Sequence, residues 1–129
     1  MLSVIIPAHN EAQLIASCLQ ALLSATAPCN GLEVLVIANG CSDDTADVAR
    51  RVLQDAPFDS QVIEVASGGK LAALNLGDAS AAGDMRAYLD ADVVISPDLL
   101  AQLAALLDSD TPRYASGRVH IPPPRSWVS

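Results

Sequence analysis

"LSVIIPAHNEAQLIASCLQALLS", residues 2–24, decides the fold, because its hydrophobic period changes within a few residues. Residues 2–7 form a continuous, largely β-branched apolar run closed by Pro7, the pattern of a strand covered on both faces. Beyond Asn10 the apolar residues recur at helical spacing, with Leu14, Cys18, Leu19 and Leu22 as the expected inward stripe. Asn10 is expected to cap this helix, with Gln13 as the other half of a capping box. A buried strand running straight into an amphipathic helix is one half of a parallel β-α-β unit.

Working outward, the unit recurs. "LEVLVIA", 32–38, reads as a second buried strand, and Ser42 is expected to cap "DDTADVARRVLQ", whose Asp43 and Asp44 suit the positive end of a helix. "QVIEVA", 61–66, is a third and more alternating strand, followed by "SGGK" and an alanine-rich helix to about Ala82. "MRAYL", 85–89, is a fourth strand, after which Ser96 and Pro97 open "DLLAQLAALLD" as N-cap and first helical residue. Four alternations with right-handed crossovers predict an α/β fold, an open, doubly wound, mostly parallel and Rossmann-like sheet. On this reading residues 1–112 are the domain, and 113–129 carry a fifth strand through "RVHI" and a proline-rich tail. That tail reads as the lead into a missing second half, so a domain truncated at the C-terminus is expected.

The bulk properties narrow the function. The chain has 129 residues, enough for one core, and is 51% hydrophobic but only 3% aromatic, so aliphatic side chains build that core. A formal charge of -8 argues against nucleic acid, whose binders work through Lys and Arg, and means that an anionic ligand needs a local cation. No segment has the roughly 18 apolar residues of a membrane span. Cys18, Cys29 and Cys41 are odd in number and lack CxxC spacing, against a disulfide framework or structural zinc. A reducing, cytoplasmic location follows, with the inner face of the membrane as the variant for a longer protein. Cys18 belongs to the core stripe.

In a parallel sheet, ligands bind beyond the carboxyl ends of the strands. Those ends carry "PAHNE", "ANGCSDD", "SGGK" and "DAD". Each also serves as an ordinary strand-to-helix turn, and it is their shared edge that suggests a site. Asp90 and Asp92, two apart in an extended segment, would face one side with Ala91 turned away. Paired carboxylates without His or Cys suit Mg²⁺ or Mn²⁺, held partly by protein and partly by substrate phosphates. Local backbone capping is the plainer role for either Asp. Lys70 opens a helix after two glycines, an arrangement for an anion or simply a solvated lysine. It is not a Walker A loop, since Glu64 stands where the first glycine belongs and Leu71 replaces Ser or Thr.

Taken together, "SVIIPAHNE", "EVLVIANGCSDDTADVA", "GGKLAALNLG" and "AYLDADV", in this order, resemble the nucleotide-sugar-binding half of a family 2 glycosyltransferase with the GT-A fold. The likeness runs from about Leu2 to Leu107, and "YLDADV" resembles the family's DxD element. It implies that Pro7, Ala8, His9 and Glu11 line the base and ribose pocket, His9 standing where the family often has a stacking tyrosine. Asn39 and Gly40 would continue that pocket, and Lys70 and Asn75 would match the family's basic residue and the asparagine after it. Asp90 and Ala91 would lie near the ribose, with Asp92 the principal metal ligand and Asp90 its companion.

The resemblance further implies inverting, metal-dependent transfer of a sugar from a nucleotide sugar, UDP-linked by preference and GDP-linked as the variant, to a glycan or lipid acceptor hydroxyl. Two departures stand out. Ala38 occupies the position where the family often has an acid reading the uracil edge. The family's general base lies further along than "DAD", and His120, the one histidine besides His9, is no match for it. No catalytic residue is therefore assigned, and the chain alone is expected to bind without turnover. Two rivals remain: a sugar-nucleotide nucleotidyltransferase, which should carry a glycine-rich loop where "PAHNE" stands, and a non-catalytic module that self-associates through a sheet edge.

Overall fold

The computed structural model describes residues 1–28, 31–66 and 69–107. Four strands and four helices alternate: β1 (Leu2–Ala8), α1 (Ala12–Ser24), β2 (Leu32–Asn39), α2 (Thr45–Leu53), β3 (Asp59–Val65), α3 (Lys70–Ser80), β4 (Met85–Tyr88) and α4 (Leu99–Leu107). All pairings are parallel, in the order β3-β2-β1-β4, with Ala8 beside Ala38 and Ile5 beside Tyr88. The order reverses at β1, whose neighbours β2 and β4 lie on opposite sides, and such a reversal opens a crevice beyond the carboxyl edge.

Every residue of β1 and β2 is buried, as their largely apolar runs predict. Alternate side chains serve opposite faces. Leu2, Val4, Ile6 and Val36 pack with Ile15, Cys18, Leu19 and Leu22 of α1, Ala49 and Leu53 of α2, and Leu100 of α4. Ile5, Leu35 and Ile37 pack on the other face with Ala73 of α3. Helix α3 lies so close that a Cβ on Gly77 would sit 2.3 Å from Cγ2 of Ile5. At the amino edge, buried Glu33 accepts hydrogen bonds from the Ser3 hydroxyl (2.7 Å) and the Ala82 N–H (2.8 Å), which fixes the approach to β4.

The predicted helix starts need correction. Helix α1 begins at Ala12, with Glu11 in the cap position, and Asn10 does not cap it. Asn10 has a left-handed backbone (φ 53°), and its Oδ1 accepts instead from the N–H groups of Ser42 (2.7 Å) and Asp43 (3.3 Å) across the cleft. Leu14 is 51% exposed, and Ile15 takes its place in the stripe. Ser42 likewise does not cap α2, which begins at Thr45; Asp43 accepts from the Thr45 N–H (3.0 Å) and hydroxyl. Ser96 and Pro97 lie in the turn before α4, whose Leu99 N–H donates to the Ser96 carbonyl (3.3 Å). Strand β3 starts two residues early and α3 ends at Ser80. The expected strand through "RVHI" and the whole of 113–129 lie outside the described residues.

Candidate functional site

The carboxyl ends of the strands enclose a hollow of about 450 Å³. Pro7 and Ala8 reach it from β1, His9 and Glu11 from the following loop, Asn39 from β2, Gly69 and Lys70 from the start of α3, and Asp90 and Asp92 from beyond β4. All four polar clusters of the sequence thus contribute to one space. Of the predicted site residues, Gly40, Asn75 and Ala91 do not line it. Asn75 is exposed on α3. Ala91 is buried and anchors the turn between the two aspartates. Gly40 (φ 62°) lets the chain leave β2 over Val65, whose carbonyl accepts its N–H at 2.8 Å. Ala38, at the position where an acid reading the base was looked for, is buried and is not part of the lining, whereas Asn39 is.

The loops after β1 and β2 are stitched together. Besides the Asn10 contacts, the Glu11 N–H donates to the Thr45 hydroxyl (2.9 Å) and the Ala12 N–H to Asp43 (3.3 Å). His9 Nδ1 lies 2.8 Å from the Asn39 carbonyl. A carbonyl only accepts, so Nδ1 carries the proton and the ring plane is held against the end of β2. Asn39 Nδ2 donates to the Gly69 carbonyl (3.1 Å), joining that wall to the start of α3. Gly69 lines the hollow although it was not among the predicted site residues; its place beside Lys70 in "GGK" was the available signal.

Electrostatically, among the described residues three carboxylates face one ammonium. Lys70 Nζ pairs with Asp90 Oδ1 at 2.6 Å. Asp90 and Asp92 are brought together by a turn, the Val93 N–H donating to the Asp90 carbonyl (3.1 Å), and not by an extended strand as predicted. Burial pushes the Glu11 carboxyl above its ordinary range, the His9 N–H opposes this, and the charges of Asp92 and Asp90 add to it. Beneath them, Cys18 is pushed up to about 12, mainly by burial, so it is an inert thiol behind the site.

With this geometry in view, the family model "Glycosyl transferase family 2" matches residues 3–127. The chain belongs to glycosyltransferase family 2. It is 41% identical over 90 residues to glycosyltransferase AglE of Haloferax volcanii, covering 70% of this chain and 30% of that protein. Among solved structures it resembles the mannosyltransferase PcManGT from Pyrobaculum calidifontis, determined with GDP-Man and Mn²⁺, at TM-score 0.78 and 31% identity over 85% of this chain and 33% of that one. TarS of S. aureus aligns at TM-score 0.75 and 25% identity, over 83% of this chain and 19% of TarS. The sheet is therefore that of the GT-A fold, and the chain spans about a third or less of each of these proteins.

In this family 2 chain the metal question turns on the donor set. Among the described residues no three His, Cys, Asp or Glu side chains cluster to hold an ion by themselves. Two neighbouring carboxylates at an open hollow do fit a hard cation whose remaining positions a diphosphate and water fill. Family membership also sets aside the nucleotidyltransferase reading, in keeping with the absence of glycine from "PAHNE".

Proposed function

We propose that this chain is the donor-binding portion of an inverting, metal-dependent glycosyltransferase, and that the hollow holds a nucleoside diphosphate sugar. The observation that carries the reading is the meeting of Lys70, Asp90 and Asp92 with His9 and Asn39 in one space at the carboxyl edge, beside the reversal of strand order. His9, Pro7, Ala8, Glu11 and Asn39 frame the base and ribose, with Gly40 shaping the turn behind His9. Lys70 and the free N–H groups at the start of α3 attract the diphosphate. Asp92 and Asp90 would hold the cation, Mg²⁺ or Mn²⁺, with Ala91 fixing their turn. The Mn²⁺ in the PcManGT structure supports this choice. Asn75 stands outside the hollow and has no part in the reading.

Chemically, an acceptor hydroxyl attacks the anomeric carbon as the bond from that carbon to the phosphate oxygen breaks, and the nucleoside diphosphate leaves with the bonding pair. Lys70 and the start of α3 stabilise the charge gathering on it. A divalent cation, when bound, neutralises the same phosphates. The acceptor proton passes to a base, a role assigned to none of the described residues. The acceptor is a glycan or lipid of the cell surface, handled on the cytoplasmic side.

UDP and GDP sugars are both candidates. An Asn39 amide both donates and accepts, which serves either base, and PcManGT with GDP-Man supports the second. Calorimetric titration with UDP, GDP and ADP, each with Mn²⁺ and with EDTA, tests the reading. Mn²⁺-dependent binding of one nucleotide is expected. Equal binding with and without metal, or no binding by folded protein, would reject it.

A further inference from the structure

Resting on that reading, the wall of the hollow beyond β1 has a fixed hydrogen-bonding sign. His9 lines the hollow, and its ring is tethered by one edge. Nδ1 lies 2.8 Å from the Asn39 carbonyl and holds the proton of the neutral ring, which leaves the lone pair on Nε2. A Cβ on Gly40 would lie 3.8 Å from both Nδ1 and Cε1, so that edge of the ring leans on the end of β2. The opposite edge, Nε2 and Cδ2, is consequently turned away from β2, and among the described residues no group bonds to Nε2. The backbone beneath the ring is held as well. The His9 N–H donates to Glu11 Oε1 (3.2 Å), and the left-handed Asn10 that follows is tied to the loop after β2 through Ser42, Asp43 and Cys41. Ring and backbone therefore fix the position of Nε2 before a ligand arrives, which lowers the entropy cost of using it.

We infer that His9 is a specificity-determining residue whose Nε2 reads the nucleoside by accepting a hydrogen bond from one of its N–H or O–H groups. Phosphate oxygens only accept, and so gain nothing from this atom. Lys70 and the N–H groups at the start of α3 offer them donors instead, and the two walls together turn a nucleoside diphosphate one way round. The group that Nε2 takes is a ribose hydroxyl or the ring N–H of the base, N3 of uracil or N1 of guanine. Its contribution is that of a directed hydrogen bond and not of a stacked ring.

The test crosses protein variants with nucleotide analogues, in calorimetry of the 129-residue chain with Mn²⁺. His9→Phe keeps an aromatic ring without nitrogens. His9→Asn keeps an amide donor for the Asn39 carbonyl while removing the outer acceptor, and circular dichroism checks both folds. Each protein is titrated with UDP and GDP, then with the 2′-deoxy, 3′-deoxy and N-methyl forms (N3 of UDP, N1 of GDP) of whichever binds the parent more tightly. The parent should bind one analogue about threefold to tenfold more weakly than the nucleotide itself. A deoxy analogue in that place identifies the ribose as the partner, and an N-methyl analogue identifies the base. Both variants should bind the unmodified nucleotide more weakly by a similar factor, and that analogue within about twofold of the nucleotide, because the acceptor is already gone. A residue that merely supports the wall would weaken every ligand alike and leave the analogue penalty in place. That outcome would overturn the inference, as would the absence of a penalty for every analogue in the parent, or a His9→Phe chain that binds as tightly as the parent. If the parent binds neither UDP nor GDP, the donor-site reading fails and the role of His9 with it, whereas nucleotide binding without the His9 coupling rejects that role alone.

Discussion

Glu11 shows at the level of one residue how the site trades stability for binding. Its carboxyl is raised by burial first and by Asp92 and Asp90 next, so its ionised form is costly in the fold. A raised folded value means that its stabilising contribution is complete below the ordinary carboxylate range and is lost as pH rises through that value. Glu11→Gln keeps an oxygen for the His9 N–H (3.2 Å) and removes the charge. The variant should therefore be more stable than the parent at neutral pH, by a few tenths of a kcal/mol. The gap should close near pH 4, which urea denaturation at the two pH values measures; a constant gap would refute the charge account. Asp92→Asn should weaken Mn²⁺-dependent nucleotide binding by at least about tenfold, roughly 1.4 kcal/mol. Unaltered binding would remove Asp92 from the metal site. That Asp90 and Asp92 share one place was legible because they stand two apart at the end of an apolar run. Their actual juxtaposition was not, since a turn held by the Val93 N–H does what extended geometry was expected to do.

Elements were legible where hydrophobic period alone defines them and obscure where contacts distant in sequence define them. The runs 2–7 and 32–38 stood out as strands because both faces are covered. The helix starts were misread because Asn10 and Ser42 look like local caps yet hydrogen-bond each other across two loops 32 residues apart, while Asp43 divides its carboxylate between Ala12 and Thr45. That bridge predicts its own test. Asn10→Gly preserves the left-handed backbone but deletes the Oδ1 acceptor, and should cost about 1–2 kcal/mol of stability and lower nucleotide affinity through a loosened His9 wall. An unaffected unfolding midpoint would show the bridge to be idle. On the other face, Gly77→Ala would gain about 1 kcal/mol of helix propensity but drive a methyl to 2.3 Å from Ile5 Cγ2. Overpacking of about 1–3 kcal/mol should win or at least cancel that gain, so denaturation should show no stabilisation.

For the whole molecule, alternation of strand and helix specifies a parallel sheet but not its order. Nothing in the period of "MRAYL" says that β4 lies beside β1 and not beside β3, and that choice places Asp90 across from Lys70 and His9. Net charge, by contrast, is fully legible, and it makes a prediction at this scale. A chain of formal charge -8 repels a nucleoside diphosphate, and among the described residues a single ammonium faces three carboxylates in the hollow. Without metal the unfavourable long-range field outweighs the one attractive contact, so raising salt from about 20 mM to about 200 mM, which shortens the screening length from about 20 Å to below 8 Å, should strengthen binding of UDP or GDP in EDTA. With Mn²⁺ the dominant local charge becomes positive toward phosphate, and the same salt change should weaken binding. Opposite slopes in the two titrations are the expected result. Parallel slopes would mean that the ion does not sit between the aspartates and the phosphates, because only an ion placed there reverses the sign of the field that the nucleotide meets.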